Sequence, residues 1–154
     1  MDTALAKIAS ALSSLSNVLD SSFDAQYDEV GVRVVRVDRR FAVFAALPVA
    51  VSGGLYVTRR GPTERFRAGL GAEFTHTGDV EFDRCFHIEA SDTLSALPEL
   101  TVPVRAALLS LAQSSDEVTV QDAHVRARFS SVERTLSGLP LLIRAARTLR
   151  NRQR

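Results

Sequence analysis

The order of pattern signals predicts an α+β fold: one domain, mostly antiparallel sheet, with an N-terminal, a central and a C-terminal helix. Three observations carry this. An apolar stripe of helical period opens the chain. Several runs of period two then follow one another with too little helical pattern between them for parallel crossovers, which take a dozen or more residues. A helix, a hairpin and a further helix close the sequence. At 154 residues, 45% of them hydrophobic, the chain is long enough for one core over residues 1–154 without covalent staples.

Leu5, Ile8, Leu12, Leu15 and Leu19 recur at spacings of three and four, which predicts a helix over 3–19 with Asp2 or Thr3 at its cap. The stripe stops after about two and a half heptads, short for a coiled-coil seam, so a helix docked on a sheet is expected. Val30, Val32 and Val34 share one strand face, but Val35 and Val37 continue on the other, a phase slip that suggests a β-bulge or a strand buried on both faces. Asp38, Arg39 and Arg40 supply a turn. The run over 41–47 is apolar on both parities and is expected to lie centrally, covered on both sides. Ser52, Gly53 and Gly54 turn the chain into a short third strand holding Leu55 and Val57, ended by Gly61 and Pro62.

Residues 59–77 read as an irregular loop with one short strand near 65–68. Residues 85–90 read as a strand, with Phe86, Ile88 and Ala90 alternating against Cys85, His87 and Glu89. Asp92 opens a helical turn with Leu94 and Leu97 inward. Thr101 caps a helix reaching about residue 113; Pro103 fits its first turn, and Val104, Leu108 and Leu111 face the core. Val118 and Val120, then Val125, Ala127 and Phe129, form a hairpin around 121–124. The last helix is expected to start near 138–140, because Pro140 would kink a helix already running from Ser131, and to bury Leu142, Ile143, Ala146 and Leu149.

Nineteen basic and 18 acidic residues leave a net charge of +1, which argues against a nucleic-acid binder acting through bulk charge. One cysteine excludes an intramolecular disulfide framework and a CxxC site. The N-terminus lacks the pattern of a secretory signal, and the longest apolar run, 41–51, is too short for a membrane span and contains Pro48, so a soluble, cytoplasmic protein without a transmembrane segment is expected.

Residues 77–88 contain Gly78, Asp79, Phe82, Asp83 and Phe86 in the pattern Gly-Asp-x-x-Phe-Asp-x-x-Phe. Leu100, Thr101, Arg105 and Leu108 follow in a Leu-Thr-x-x-x-Arg-x-x-Leu pattern, and then the hairpin. Over 77–150 the chain resembles an uncharacterised bacterial family with this strand entry, and more remotely a bacterial domain of unknown function found in membrane-anchored proteins. The resemblance implies no activity. The chain departs from it at Ala123, where that family tends to have glycine. Physically, Gly78 can take a positive φ, Asp79 can cap the next turn, and Phe82 and Phe86 then point inward, so these residues read as a structural corner.

The chemistry candidates are sparse. Asp79, Glu81 and Asp83 alternate, but the loop lacks the ligand count and glycine of an EF-hand. Cys85, His87 and Glu89 on one strand face, with His76 nearby, are the best metal-like or nucleophilic group, short of a normal zinc set. Gly69 and Gly71 do not make a phosphate loop, since the lysine is missing. The expectation is therefore no catalytic residue, no cofactor and no metal. Two arginine groups remain: Arg59, Arg60, Arg65 and Arg67 in the loop, and Arg144, Arg147, Arg150, Arg152 and Arg154 at the C-terminus, where 150–154 reads as a frayed basic tail. These features point first to a non-enzymatic binding or assembly protein that acts through protein–protein contacts, with self-association or a protein partner. The alternatives are a small enzyme using Cys85 and a histidine, and a weak binder of anionic lipid or nucleic acid through the C-terminal arginines.

Overall fold

The computed structural model describes residues 3–15, 21–60 and 75–151. Its elements are α1 (Thr3–Leu15), β1 (Ser22–Tyr27), β2 (Val30–Val37), β3 (Arg40–Ala46), a 3-10 turn (Ser52–Gly54), β4 (Tyr56–Arg59), α2 (Val80–Cys85), β5 (Phe86–Glu89), α3 (Thr93–Ala96), a 3-10 turn (Leu97–Glu99), α4 (Val102–Ser114), β6 (Glu117–Gln121), β7 (His124–Phe129) and α5 (Val132–Asn151). The seven strands form one sheet in the order β1-β2-β3-β7-β6-β4-β5. Every pairing is antiparallel, as the run of strands without crossover helices requires.

Alternation divides the sheet into two unlike faces. Val30, Val32 and Val34 of β2, Phe41, Val43 and Ala45 of β3, and Val125, Ala127 and Phe129 of β7 share the inner face, and all are buried. Ile8, Leu12 and Leu15 of α1, Val104, Leu108 and Leu111 of α4, and Leu139, Leu142 and Ile143 of α5 join them in one core. Each helix thus buries an apolar stripe against a strand face that could not be stable in water by itself. Among the described residues, these helices leave the outer face to Asp24, Arg33, Val35, Phe44, His124, Arg126, Arg128 and their neighbours.

The corner before β5 forms as its residues suggest. Gly78 takes φ +90, with nothing within 4 Å of an added Cβ, so backbone conformation rather than space selects glycine there. The Asp79 carboxylate accepts from the Phe82 backbone N–H at 3.2 Å. Asp83 accepts from the N–H and hydroxyl of Thr77 at 2.9 and 2.8 Å and from the Gly78 N–H at 3.1 Å. Phe82 and Phe86 are fully buried and stack with ring centroids 4.6 Å apart. Arg105 on α4 then donates to Asp79 at 3.1 Å and to the Leu100 carbonyl at 2.7 Å. Both halves of the sequence pattern therefore meet at one point, and Thr101 caps α4 through the Val104 N–H beside it.

Several expectations need correction. β1 was not anticipated, although Phe23, Ala25 and Tyr27 alternate with Ser22, Asp24 and Gln26. β2 pairs in continuous register on both sides and has no bulge; the phase slip only places Val35 half-buried and Val37 exposed on the outer face. On β3, Ala42 is buried but Phe44 is half-buried on that same face, so coverage there is incomplete. Leu94 is 88% exposed, and Ala96 takes the inward position of α3. α5 begins at Val132, where Ser131 caps it through the Arg134 N–H, and it runs through Pro140 without ending. Burial of Leu139, Leu142 and Ile143 outweighs the one backbone bond that proline removes. The β6–β7 turn needs no glycine because its positive φ, +51, falls on Asp122. The end of the first helix beyond Leu15, and the strand expected near 65–68, lie outside the described residues.

Candidate binding surface

The residues singled out for chemistry do not form the strand face that their alternation suggests. Cys85 closes α2, so the strand alternation does not extend to it; half-buried, it packs against the core. The strand face shared by Cys85, His87 and Glu89 is therefore not formed. His87 is buried on the opposite, outer face, and its Nε2 lies 2.8 Å from Glu89 Oε1. His76 is 63% exposed and lies 4.0 Å from Asp83 in the corner. Among the described residues no three His, Cys, Asp or Glu side chains are grouped to hold a metal ion. The Asp79, Glu81 and Asp83 run is consumed by the corner: Asp79 and Asp83 accept the hydrogen bonds given above. The Phe82 N–H, with Arg105 beside it, holds the Asp79 carboxyl below the usual carboxylate range.

Three of the described arginines in these groups are engaged in the fold. Arg59 donates to the Ser115 carbonyl at 2.6 Å and Arg60 to the Asp83 carbonyl at 3.0 Å. Arg147 pairs with Asp28 at 3.3 Å, tying α5 to the β1–β2 turn. Arg150 is half-buried within α5, and Arg144 is exposed. Arg65, Arg67, Arg152 and Arg154 lie outside the described residues.

What the strands bring together instead is an open end of the sheet. Cross-strand registers place Asp24, Arg33, Phe44, Arg126 and Thr119 in one row on the outer face. Arg33 donates to both Asp24 oxygens, at 2.8 and 3.3 Å, and this bond holds the Asp24 carboxyl below its usual range. Glu117 bridges Arg126 and Arg128. Phe44 meets His124 edge-on, ring centroids 5.5 Å apart. Between Asp24, Arg33 and His124 lies a cavity of about 590 Å³ with an apolar floor of Gly31, Val35, Phe44, Ala46 and Ala123. A second hollow, about 380 Å³, opens on the inner side between β1 and α1, lined by Ala4, Lys7, Ile8, Ala11 and Phe23. The two hollows share Asp24, Ala25 and Gln26, so β1 has open space on both faces.

Among the described residues β1 is also an edge strand, paired with β2 alone. Its turn, Asp28 and Glu29, has φ of +48 and +66, the two-residue hairpin geometry that matches strand twist. The Arg36 N–H donates to the Ser21 carbonyl, which puts the odd residues of β1 in hydrogen bonds with β2. The backbone N–H and C=O groups of Ser22, Asp24 and Gln26 consequently point outward along the free edge. None of these residues was a sequence candidate, yet the alternation over 22–27 was the signal that could have found them.

An antiparallel sheet with helices on its inner face and a partly open outer face defines a one-sided α+β sandwich. No protein-family model and no curated protein matches the chain. Among solved structures it is similar to the crystal structure of the mycobacterial trehalose monomycolate transport factor A, TtfA, with a TM-score of 0.54 over 86% of this chain and 71% of that one, at 8% identity. At that identity the likeness establishes a shared fold. Among the described residues no single helix is long and apolar enough to cross a membrane.

Proposed function

We propose that the chain is a non-enzymatic binding protein that acts through protein–protein contacts, taking up an extended polypeptide segment along the free edge of β1. The observation that carries this reading is the pair of hollows sharing Asp24, Ala25 and Gln26. A strand added beside β1 gains backbone bonds from the outward groups and sends alternate side chains into one hollow and then the other. Cys85, half-buried against the core, and His87, engaged by Glu89, favour this over a cysteine–histidine enzyme, and the Arg147–Asp28 pair favours it over an anionic-surface role for the C-terminal helix. The structural neighbour is titled a transport factor, which names no reaction. Membership of the uncharacterised bacterial family, resting on Gly78, Asp79, Phe82, Asp83, Phe86 and Arg105, and a cytoplasmic setting belong to the same proposal.

The test is a photo-crosslinking residue placed at Gln26 in the expressed chain, with the same residue at exposed Leu94 as control. The expected result is a polypeptide adduct at Gln26 that is absent at Leu94 and lost when Ala25→Arg is added. Adduct formation no greater at Gln26 than at Leu94 would overturn the reading.

A further inference from the structure

We infer that the segment β1 takes up is β1 of a second copy, giving a twofold dimer whose two sheets join into one fourteen-stranded sheet. This rests on the binding reading above and names its partner. The argument is one of register. Because Ser22, Asp24 and Gln26 direct their backbone groups outward, an antiparallel partner strand must place its own outward residues opposite them, in hydrogen-bonded pairs. For two copies of β1, four registers satisfy that rule, centred on Phe23, Asp24, Ala25 and Gln26.

The one centred on Asp24 sets Asp24 against Asp24 of the other copy, and like charges directly opposite are destabilising. Those centred on Phe23 and Gln26 keep only three residues of each strand paired, against five for Asp24 and Ala25. The register centred on Ala25 therefore remains. In it Asp24 faces Gln26, whose amide donates to the carboxylate, and this occurs twice by symmetry. On the inner face Phe23 meets Tyr27, again twice, in the non-hydrogen-bonded position that brings side chains closest. The small Ala25 lies on the axis, where two larger side chains would collide.

The burial of the strand agrees with this arrangement. Phe23, Ala25 and Tyr27 are only half-buried, on a face whose neighbours Val30, Val32 and Val34 are at most 4% exposed. The 380 Å³ hollow beside Phe23, walled by the small Ala4 and Ala11 of α1, offers space for an aromatic ring of the other copy. β1 has no proline, no lysine and no bulge in its pairing, and its one charged residue, Asp24, is paired with Arg33 of its own sheet.

Light scattering coupled to gel filtration tests the assembly on the full chain. Wild type should have the mass of two 16.8 kDa chains at about 100 µM. Gln26→Pro removes an outward N–H that the protomer does not use, and Ala25→Arg sets two cations on the axis. Both should run as monomers with an unchanged far-UV circular dichroism spectrum at 25 °C. Register is tested by disulfide trapping in a Cys85→Ser background: Ala25→Cys should cross-link between chains on mild oxidation, and Gln26→Cys should not. A monomeric wild type would overturn the dimer. So would a dimer indifferent to Gln26→Pro, or cross-linking stronger from position 26 than from 25. A monomeric wild type that still gives the Gln26 adduct, to another polypeptide, would sink this inference alone; loss of the adduct as well would sink the binding reading with it.

Discussion

Alanine in a helix interior is normally about 1 kcal/mol more favourable than glycine, but at Gly138 the sign should reverse. A Cβ at this position falls 2.1 Å from Cε1, 2.5 Å from Cζ and 3.1 Å from Cδ1 of Phe129. Carbon atoms prefer separations of about 3.5–4.0 Å. The ring cannot retreat easily, because Phe129 is fully buried on β7 and paired with Phe41 across the sheet. Either the ring leaves its place or α5 lifts from the sheet. Overpacking costs about 1–3 kcal/mol, and overlap with three ring atoms belongs at the upper end. Subtracting the helix-propensity gain leaves a net loss of about 2 kcal/mol for Gly138→Ala, or roughly 4–8 °C in Tm for a chain of this size. Urea denaturation of wild type, Gly138→Ala, Phe129→Leu and the double variant measures it. With the ring removed, the added methyl has room and only the helix-propensity gain is left, so the cycle should show a favourable coupling of about 3 kcal/mol. A stabilising Gly138→Ala, or effects that add within about 0.5 kcal/mol, would refute the reasoning.

Phe86 is fully buried and stacked on Phe82, so Phe86→Ala should cost about 3–5 kcal/mol in equilibrium denaturation, and a loss below about 1 kcal/mol would contradict its placement. Leu94 is 88% exposed, so Leu94→Ser should change stability by no more than about 0.5 kcal/mol; a core-sized loss would restore the inward reading of that residue. The Asp79 carboxyl is held down by the Phe82 N–H and by Arg105, so its stabilising effect is present above the unfolded value near 4 and disappears as pH falls through the lower folded value. Asp79→Asn should therefore lower Tm at neutral pH and flatten its decline in acid, whereas parallel pH profiles would argue that the charge contributes nothing. His87 and Glu89, on one face of β5, are engaged with each other, and among the described residues no three His, Cys, Asp or Glu side chains are grouped to hold a metal ion. Excess chelator should accordingly leave Tm unchanged, and about one equivalent of zinc in elemental analysis would reverse that expectation.

Local pattern was enough for much of this fold. The stripe through Leu5, Ile8 and Leu12, the hairpin through Val118 to Phe129, and the corner at Gly78 and Asp79 are all read from spacing, because each depends on neighbours within a few residues. The start of α5 was not legible in that way. Pro140 forbids one backbone bond locally, and only the core contacts of Leu139, Leu142 and Ile143 show why the helix continues through it. The apparent bulge in β2 came from Val35 and Val37, apolar residues on the outer face that periodicity alone assigns to burial. Leu94 was misplaced for the same reason: a single turn has too few residues to define a face.

The candidate site depended still more on tertiary structure. A sequence shows which residue types alternate, and the alternation over 22–27 was there to be read. Whether a strand is central or at an edge is decided by which distant segments pair, and β3 pairs with β7 from 78 or more residues away rather than folding back on β4. That pairing leaves β1 outermost. Edge position then determines which backbone groups face water and where the two hollows open.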